Sequence, residues 1–178
     1  MGYVEETGIA QFYRDARIAS IYEGTNGIQA IDLVGRKLLR DGGATVSAFV
    51  TDMRSVDAPL ANAGEEFAVL RKALSRGLDE LVQSSTYLLT AERKDPELAS
   101  AAAFDYMMLI GTVIGGWQLA RGALVAREQI ATGGDKAFLD AQIVMAKFYA
   151  EHVLPRCTAY AAAVQAGSAS KMALAAEN

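Results

Sequence analysis

The sequence predicts an all-α fold, on three observations. Apolar residues recur at helical spacing nearly throughout, strand-like alternation is absent, and only 3 prolines interrupt 178 residues. Apolar usage is 52%, and much of the excess over ordinary globular composition is alanine, the strongest helix former. The predicted architecture is two helices up to Asp41, followed by an antiparallel up-and-down bundle of one short and three long helices.

The elements follow in order. A first helix is expected from Val4 to about Ala19, where Ile9, Phe12, Tyr13 and Ala16 share a face and Arg14, Asp15 and Arg17 lie off it. Glu23-Gly24 breaks the pattern. A second helix starts near Asn26, with Gln29 three residues on as a capping box and Ile28, Ile31, Val34 and Leu38 as its apolar stripe. Asp41-Gly42-Gly43 ends it and divides the chain into units 1–41 and 42–178. A short helix covers Ala44 to Arg54, and Ser55 to Gly64, with Pro59 and Asn62, reads as a loop. The next helix runs from Glu65 to Arg93, its face marked by Phe67, Leu70, Leu74, Leu78, Leu81 and Leu88. Asp95 as N-cap and Pro96 as first helical residue open a helix that reaches Ala131. Thr132-Gly133-Gly134-Asp135 forms a turn. The last helix spans Lys136 to Ala166, kinked at Pro155, and Gly167 to Asn178 reads as a frayed tail.

Composition excludes several functions. A net charge of −4 argues against nucleic acid as the main partner, because phosphate binding needs a basic face. One cysteine, Cys157, rules out an internal disulfide and suits a reducing compartment such as a bacterial cytoplasm. With one histidine, His152, no tetrahedral zinc site forms without carboxylates. The polar, acidic start does not read as a signal peptide. The uncharged run Tyr106 to Ala120 is short for a membrane span and reads as the middle of a buried helix, with Gly111 and Gly115 marking close helix–helix approach.

His152 and Cys157, five apart, share no clear helical face and lack an orienting third group. They read as packing or surface residues rather than a nucleophile pair. Trp117 and Met107-Met108 read as core, and Arg71, Lys72 and Arg76 as solvated surface.

One run can carry chemistry: Ile21-Tyr22-Glu23-Gly24-Thr25-Asn26-Gly27-Ile28-Gln29. A carboxylate that takes a proton from carbon must reach its substrate, and the glycine beside Glu23 lets a planar group approach the backbone. N–H groups at the following helix start can hold a carbonyl oxygen and stabilise an enolate. The helix dipole favours the ionised carboxylate, whereas burial beneath an apolar ligand raises its pKa. The plain alternative is a solvated turn glutamate and a helix stop.

The order of residues favours the first reading. Gly2-Tyr3, Arg14-Asp15-Ala16-Arg17-Ile18 and Tyr22-Glu23-Gly24-Thr25-Asn26 resemble the C-terminal signature of flavin-dependent acyl-CoA dehydrogenases. The continuation to Asp32-Leu33-Val34-Gly35-Arg36-Lys37 is similar to a branch with an additional helical domain after the catalytic core. The resemblance implies that Glu23 is the base taking the α-proton of an acyl-CoA thioester while the β-hydrogen leaves as hydride to FAD. It implies that Tyr22 and Gly24 line the acyl site and that Thr25, Asn26 and Gly27 contact FAD, Gly27 through backbone alone. Arg14, Asp15 and Arg17 become an ion-pair set fixing the helix before the base. The implied partners are an electron-transfer flavoprotein, a second copy of the enzyme, and the N-terminal helical and β domains of the same protein.

No stretch before Glu23 supplies a flavin pocket, so the 178 residues read as a piece of a larger enzyme, inactive alone. The alternative from another class is a non-catalytic helical interaction or oligomerisation module. It would use the apolar faces of the first two helices.

Overall fold

The computed structural model describes residues 5–21 and 25–173, and within them every regular element is helical. A 3₁₀ turn at Glu5–Thr7 precedes α1 (Ile9–Ile21), and α2 (Thr25–Asp32) runs on as a π-helical stretch over Leu33–Leu39. The bundle follows: α3 (Ala44–Arg54), α4 (Asp57–Asn62), a 3₁₀ turn at Glu65–Phe67, α5 (Ala68–Ala91), α6 (Leu98–Ala131), α7 (Lys136–His152) and α8 (Arg156–Gln165).

The middle of the bundle is α6, packed against α5, α7 and α8. It is long and apolar enough to cross a membrane by length and composition. Here its Tyr106, Leu109, Val113 and Ala120 are fully enclosed by the neighbouring helices. The α5 face is the one its spacing predicts: Phe67, Leu70, Leu74, Leu78, Leu81 and Leu88 are all buried. Trp117 is buried edge-on to Phe49, their ring centroids 5.5 Å apart. Met107 packs against the core.

Five local expectations change. Gly8, at φ +71°, delays α1 to Ile9. The stretch read as a loop contains α4, because Pro59 falls in its first turn, where a missing N–H costs nothing. α6 starts at Leu98, not Pro96; the Asp95 carboxylate is engaged by Ser168 Oγ at 2.8 Å instead of capping the helix. Pro155 breaks the last helix outright, since it cannot donate an N–H and its ring crowds the preceding turn, so α7 stops at His152 and α8 begins at Arg156. The described part of the tail is docked rather than frayed: Ser168 is buried, and Lys171 Nζ donates to the Ala101 carbonyl at 2.8 Å and the Asp105 carboxylate at 2.6 Å.

The turn between α2 and α3 shows why Gly42-Gly43 was needed. Both sit in the left-handed region, at φ +65° and +84°, which an L side chain rarely adopts. The Asp41 carboxylate closes the turn, accepting from Gly43 N and Thr45 N, each at 3.0 Å, and from Thr45 Oγ.

Candidate functional site

The bundle holds the start of α2 in place through the far end of the same helix. Ala30, Val34 and Leu38 are fully buried in the core cluster, and α2 with its π-helical continuation packs against α6. These residues recur every four positions, a longer step than an ideal α-helix keeps on one face, and the wider i→i+5 turns of Leu33–Leu39 accommodate it. The stripe predicted as Ile28, Ile31, Val34 and Leu38 is therefore corrected. Ile28 and Ile31 are exposed, and Ala30 takes the inward position.

At the other end, the helix starts at Thr25, so Asn26 lies in the first turn and does not cap it. Asn26 and Gly27 are exposed, and a Cβ added at Gly27 would meet no atom within 4 Å. Tyr22, Glu23 and Gly24 lie outside the described residues. They join the end of α1 to the start of α2.

Of α1, Ala10 is buried, while Ile9, Phe12, Tyr13, Ile18 and Ile21 are exposed, Phe12 at 71%. The Arg14 guanidinium pairs with Glu5, at 2.5 Å. Arg14, Asp15 and Arg17 were expected to fix the helix before the base as an ion-pair set, and the Arg14–Glu5 contact ties α1 to the turn before it. The sequence signal for the exposed face was present in the spacing of Ile9, Phe12 and Tyr13.

The other sequence candidates are not brought together. His152 is exposed at the end of α7, its ring 4.7 Å from that of Phe148. Cys157 is buried against Gly77, and burial pushes its thiol up to about 11, with Glu80 adding to the rise. A thiol so held is no nucleophile near neutrality. Sequence reading missed a cleft of about 380 Å³ between α3, α4 and α5, floored by Met53, Leu60 and Leu74. Its charged rim is made of ion pairs, Arg54–Asp79 at 2.6 Å and Arg71–Asp57 at 2.8 Å. Among the described residues, no three His, Cys, Asp or Glu side chains gather as a metal site would require.

Two family models match the chain. One, described as "Acetyl-CoA dehydrogenase C-terminal like", covers residues 43–175, and the other, "Acyl-CoA dehydrogenase, C-terminal domain", covers residues 1–39. The chain is 44% identical to 3-methylmercaptopropionyl-CoA dehydrogenase of Ruegeria pomeroyi over 166 residues, 89% of this chain and 27% of that protein. It is 33% identical to the broad-specificity linear acyl-CoA dehydrogenase FadE5 of Mycobacterium tuberculosis over 165 residues, 88% of this chain and 27% of that protein. Over 38 residues, 21% of this chain and 9% of the relative, it is 53% identical to the mitochondrial short-chain specific acyl-CoA dehydrogenase of Rattus norvegicus. The chain thus spans about a quarter of the length of the first two relatives.

Proposed function

The chain belongs to the acyl-CoA dehydrogenase family, and from that premise we propose that it supplies the catalytic base of an enzyme oxidising an acyl-CoA thioester to the trans-2-enoyl-CoA. The observation that carries this reading is the match of residues 1–39, the span containing Glu23, to the dehydrogenase C-terminal domain.

In this reading the Glu23 carboxylate removes the α-proton and becomes the neutral acid. Its backbone N–H holds the thioester carbonyl, so charge developing on that oxygen is met by a donor already in place. Gly24 leaves room for the thioester, and Tyr22 packs beside it. FAD, when bound, supplies the acceptor for the β-hydrogen, which leaves with its electron pair as the double bond forms. Thr25, Asn26 and Gly27 would hold the flavin, Gly27 by backbone; the open first turn of α2 around Asn26 and Gly27 fits that role. The remaining walls of both pockets would come from other domains of the same protein, which the exposed apolar face of α1 would also contact. Electrons would leave to an electron-transfer flavoprotein, and the enzyme would work as a homo-oligomer.

The relatives' names range from a thioether acyl group to linear acyl chains, so the substrate class proposed is acyl-CoA without a chain length. The 178-residue chain alone is expected to bind neither FAD nor acyl-CoA. Stoichiometric yellow flavin on the purified chain would overturn that part.

The test of the base is Glu23→Gln in the full-length protein. FAD content should be unchanged, while α-proton exchange and dehydrogenation should fall by about 10²–10⁴-fold. Normal turnover by this variant would remove Glu23 from the role. A full-length protein without dehydrogenase activity would favour the alternative, a helical interaction module built on the exposed face of α1.

A further inference from the structure

Among the described side chains of α1 and α2, two are buried, and both are alanines, Ala10 and Ala30. Of the two, only Ala30 belongs to the core cluster that runs through the bundle. α1 packs against α2, and α2 packs against α6. The two helices that frame Tyr22–Gly24 thus reach the bundle core at Ala30, and Val34 and Leu38 continue the contact with larger side chains. The distance between packed helices, about 8–10 Å, follows the size of the side chains at the contact. Alanine at this position therefore draws the first turn of α2 closer to α6 than a larger residue would.

Ala30 also lies where a displacement reaches the motif. Asn26 is one helical turn before it, and at about 100° per residue Asn26 and Gly27 fall within roughly 60° of its direction. Ile28 is on the opposite side, exposed at 61%. A larger side chain at position 30 would push the turn carrying Asn26 and Gly27, and Glu23 just before it, away from α6 along that turn's own direction.

We propose that Ala30 is a positioning residue: its small size sets the spacing of α2 from α6, and through α2 the bundle places Glu23 against the substrate and Thr25–Gly27 against the flavin. The inference rests on the reading of Glu23 as the base. Fully buried in the core, Ala30 touches neither ligand and acts through the backbone of α2. A base must lie within hydrogen-bond reach of the proton it takes, and a misplacement of about 1 Å can cost about 10²-fold in rate.

The experiment uses the full-length protein loaded with FAD. It reads kcat and KM with butyryl-CoA and octanoyl-CoA, the melting temperature, and the visible circular dichroism of the bound flavin, which needs no substrate. Ala30→Val should lower kcat about tenfold with KM nearly unchanged, Ala30→Leu should lower it further, and both should alter the flavin spectrum. Ala30→Gly loses helix propensity and should melt earlier, yet keep kcat and the spectrum. Ile143→Ala, which opens a cavity in the buried face of α7, should do the same. Should Ala30→Leu fail to fold, the smaller Ala30→Val carries the test. A kcat that follows the melting temperature across the four variants overturns the proposal, Ala30 then being a packing residue alone. So does a folded Ala30→Val enzyme with wild-type kcat and flavin spectrum. Glu23→Gln separates the two readings. Normal turnover by that variant removes the base and the positioning with it, whereas an inactive Glu23→Gln beside an unaffected Ala30→Val removes the positioning only.

Discussion

The Tyr149 hydroxyl donates a 3.1 Å hydrogen bond to the Thr112 carbonyl, and the ring that carries it lies directly over Gly115. The two ends of that relationship explain each other. A Cβ at Gly115 would collide with the phenol, so glycine is what lets α7 approach α6 closely enough for the bond to form. Gly116 does the same for Leu154, whose buried branched end would come within 3.0 Å of an added Cβ.

Gly111 and Gly115 therefore separate in their response to alanine. Around Gly111 an added Cβ meets nothing within 4 Å, so Gly111→Ala should stabilise by about 0.5–1 kcal/mol through helix propensity alone. At Gly115 the same gain is outweighed by overpacking, typically about 1–3 kcal/mol, together with loss of the Tyr149 bond, and a net loss of about 1–2 kcal/mol is expected. Urea unfolding of the two variants checks both signs.

Sequence spacing foretold the helices wherever one face alone is buried. The six apolar residues from Phe67 to Leu88 marked the face that α5 and the turn before it bury, although Val69 and Val82 on the same helix stay exposed. It misled at α2, where Ile28 and Ile31 are as apolar as Val34 and Leu38 yet point away from the bundle. Apolar pattern cannot say which partner covers a helix with two apolar faces. The Gly111–Gly115 spacing was read as one contact, but only the second residue meets a neighbour, since approach depends on where the facing helix crosses. Docking of the tail was hidden for a different reason: Ser168 and Lys171 look like solvated residues until the Asp95 and Asp105 carboxylates are known to lie opposite. For the candidate site, the residue order named Glu23 and its neighbours, whereas the structure contributes the anchoring of α2 by Ala30, Val34 and Leu38.

Acid should loosen the α2–α3 turn through Asp41. The hydrogen bonds from Thr45, hydroxyl first and then backbone, hold its carboxyl below the usual 3.8, with Gly43 adding to the effect. A depressed folded-state pKa means stability present above the unfolded value and lost as pH falls through the folded one. Wild type and Asp41→Asn should differ in melting temperature at pH 7, and the gap should close below pH 3.8 as the carboxyl takes up its proton. A gap unchanged between neutral and acidic pH would mean that Asp41 does not act through its charge.

A buried pair between α5 and α6 should respond asymmetrically to removal of either partner. Ser85 Oγ donates to the Leu81 carbonyl at 2.7 Å and so accepts at 2.8 Å from the hydroxyl of Tyr106, which is fully buried. Tyr106→Phe leaves Ser85 still bonded to Leu81 and should cost about 1 kcal/mol. Ser85→Ala strands the phenol in the core and should cost more, about 2–3 kcal/mol. Burial also pushes the Tyr106 hydroxyl up to about 12, the Ser85 bond opposing the rise, so its absorbance should not change in the alkaline range before the chain unfolds.

The thiol of Cys157 offers a readout of the same core. It lies against Gly77 and Leu154 at the α5–α8 contact, and its pKa of about 11 leaves almost no thiolate at neutral pH. A disulfide reagent at pH 8 should leave the native chain unlabelled and label it stoichiometrically in denaturant. The labelling rate at intermediate urea then measures opening of the α8 contact. Gly77→Ala, whose Cβ would sit 3.3 Å from Val113 and 3.5 Å from the sulfur, should accelerate labelling, whereas Gly111→Ala should slow it or leave it unchanged. Prompt labelling of the native wild type would mean that α8 opens without the rest of the bundle, and that the α5–α8 packing contributes little to holding it closed.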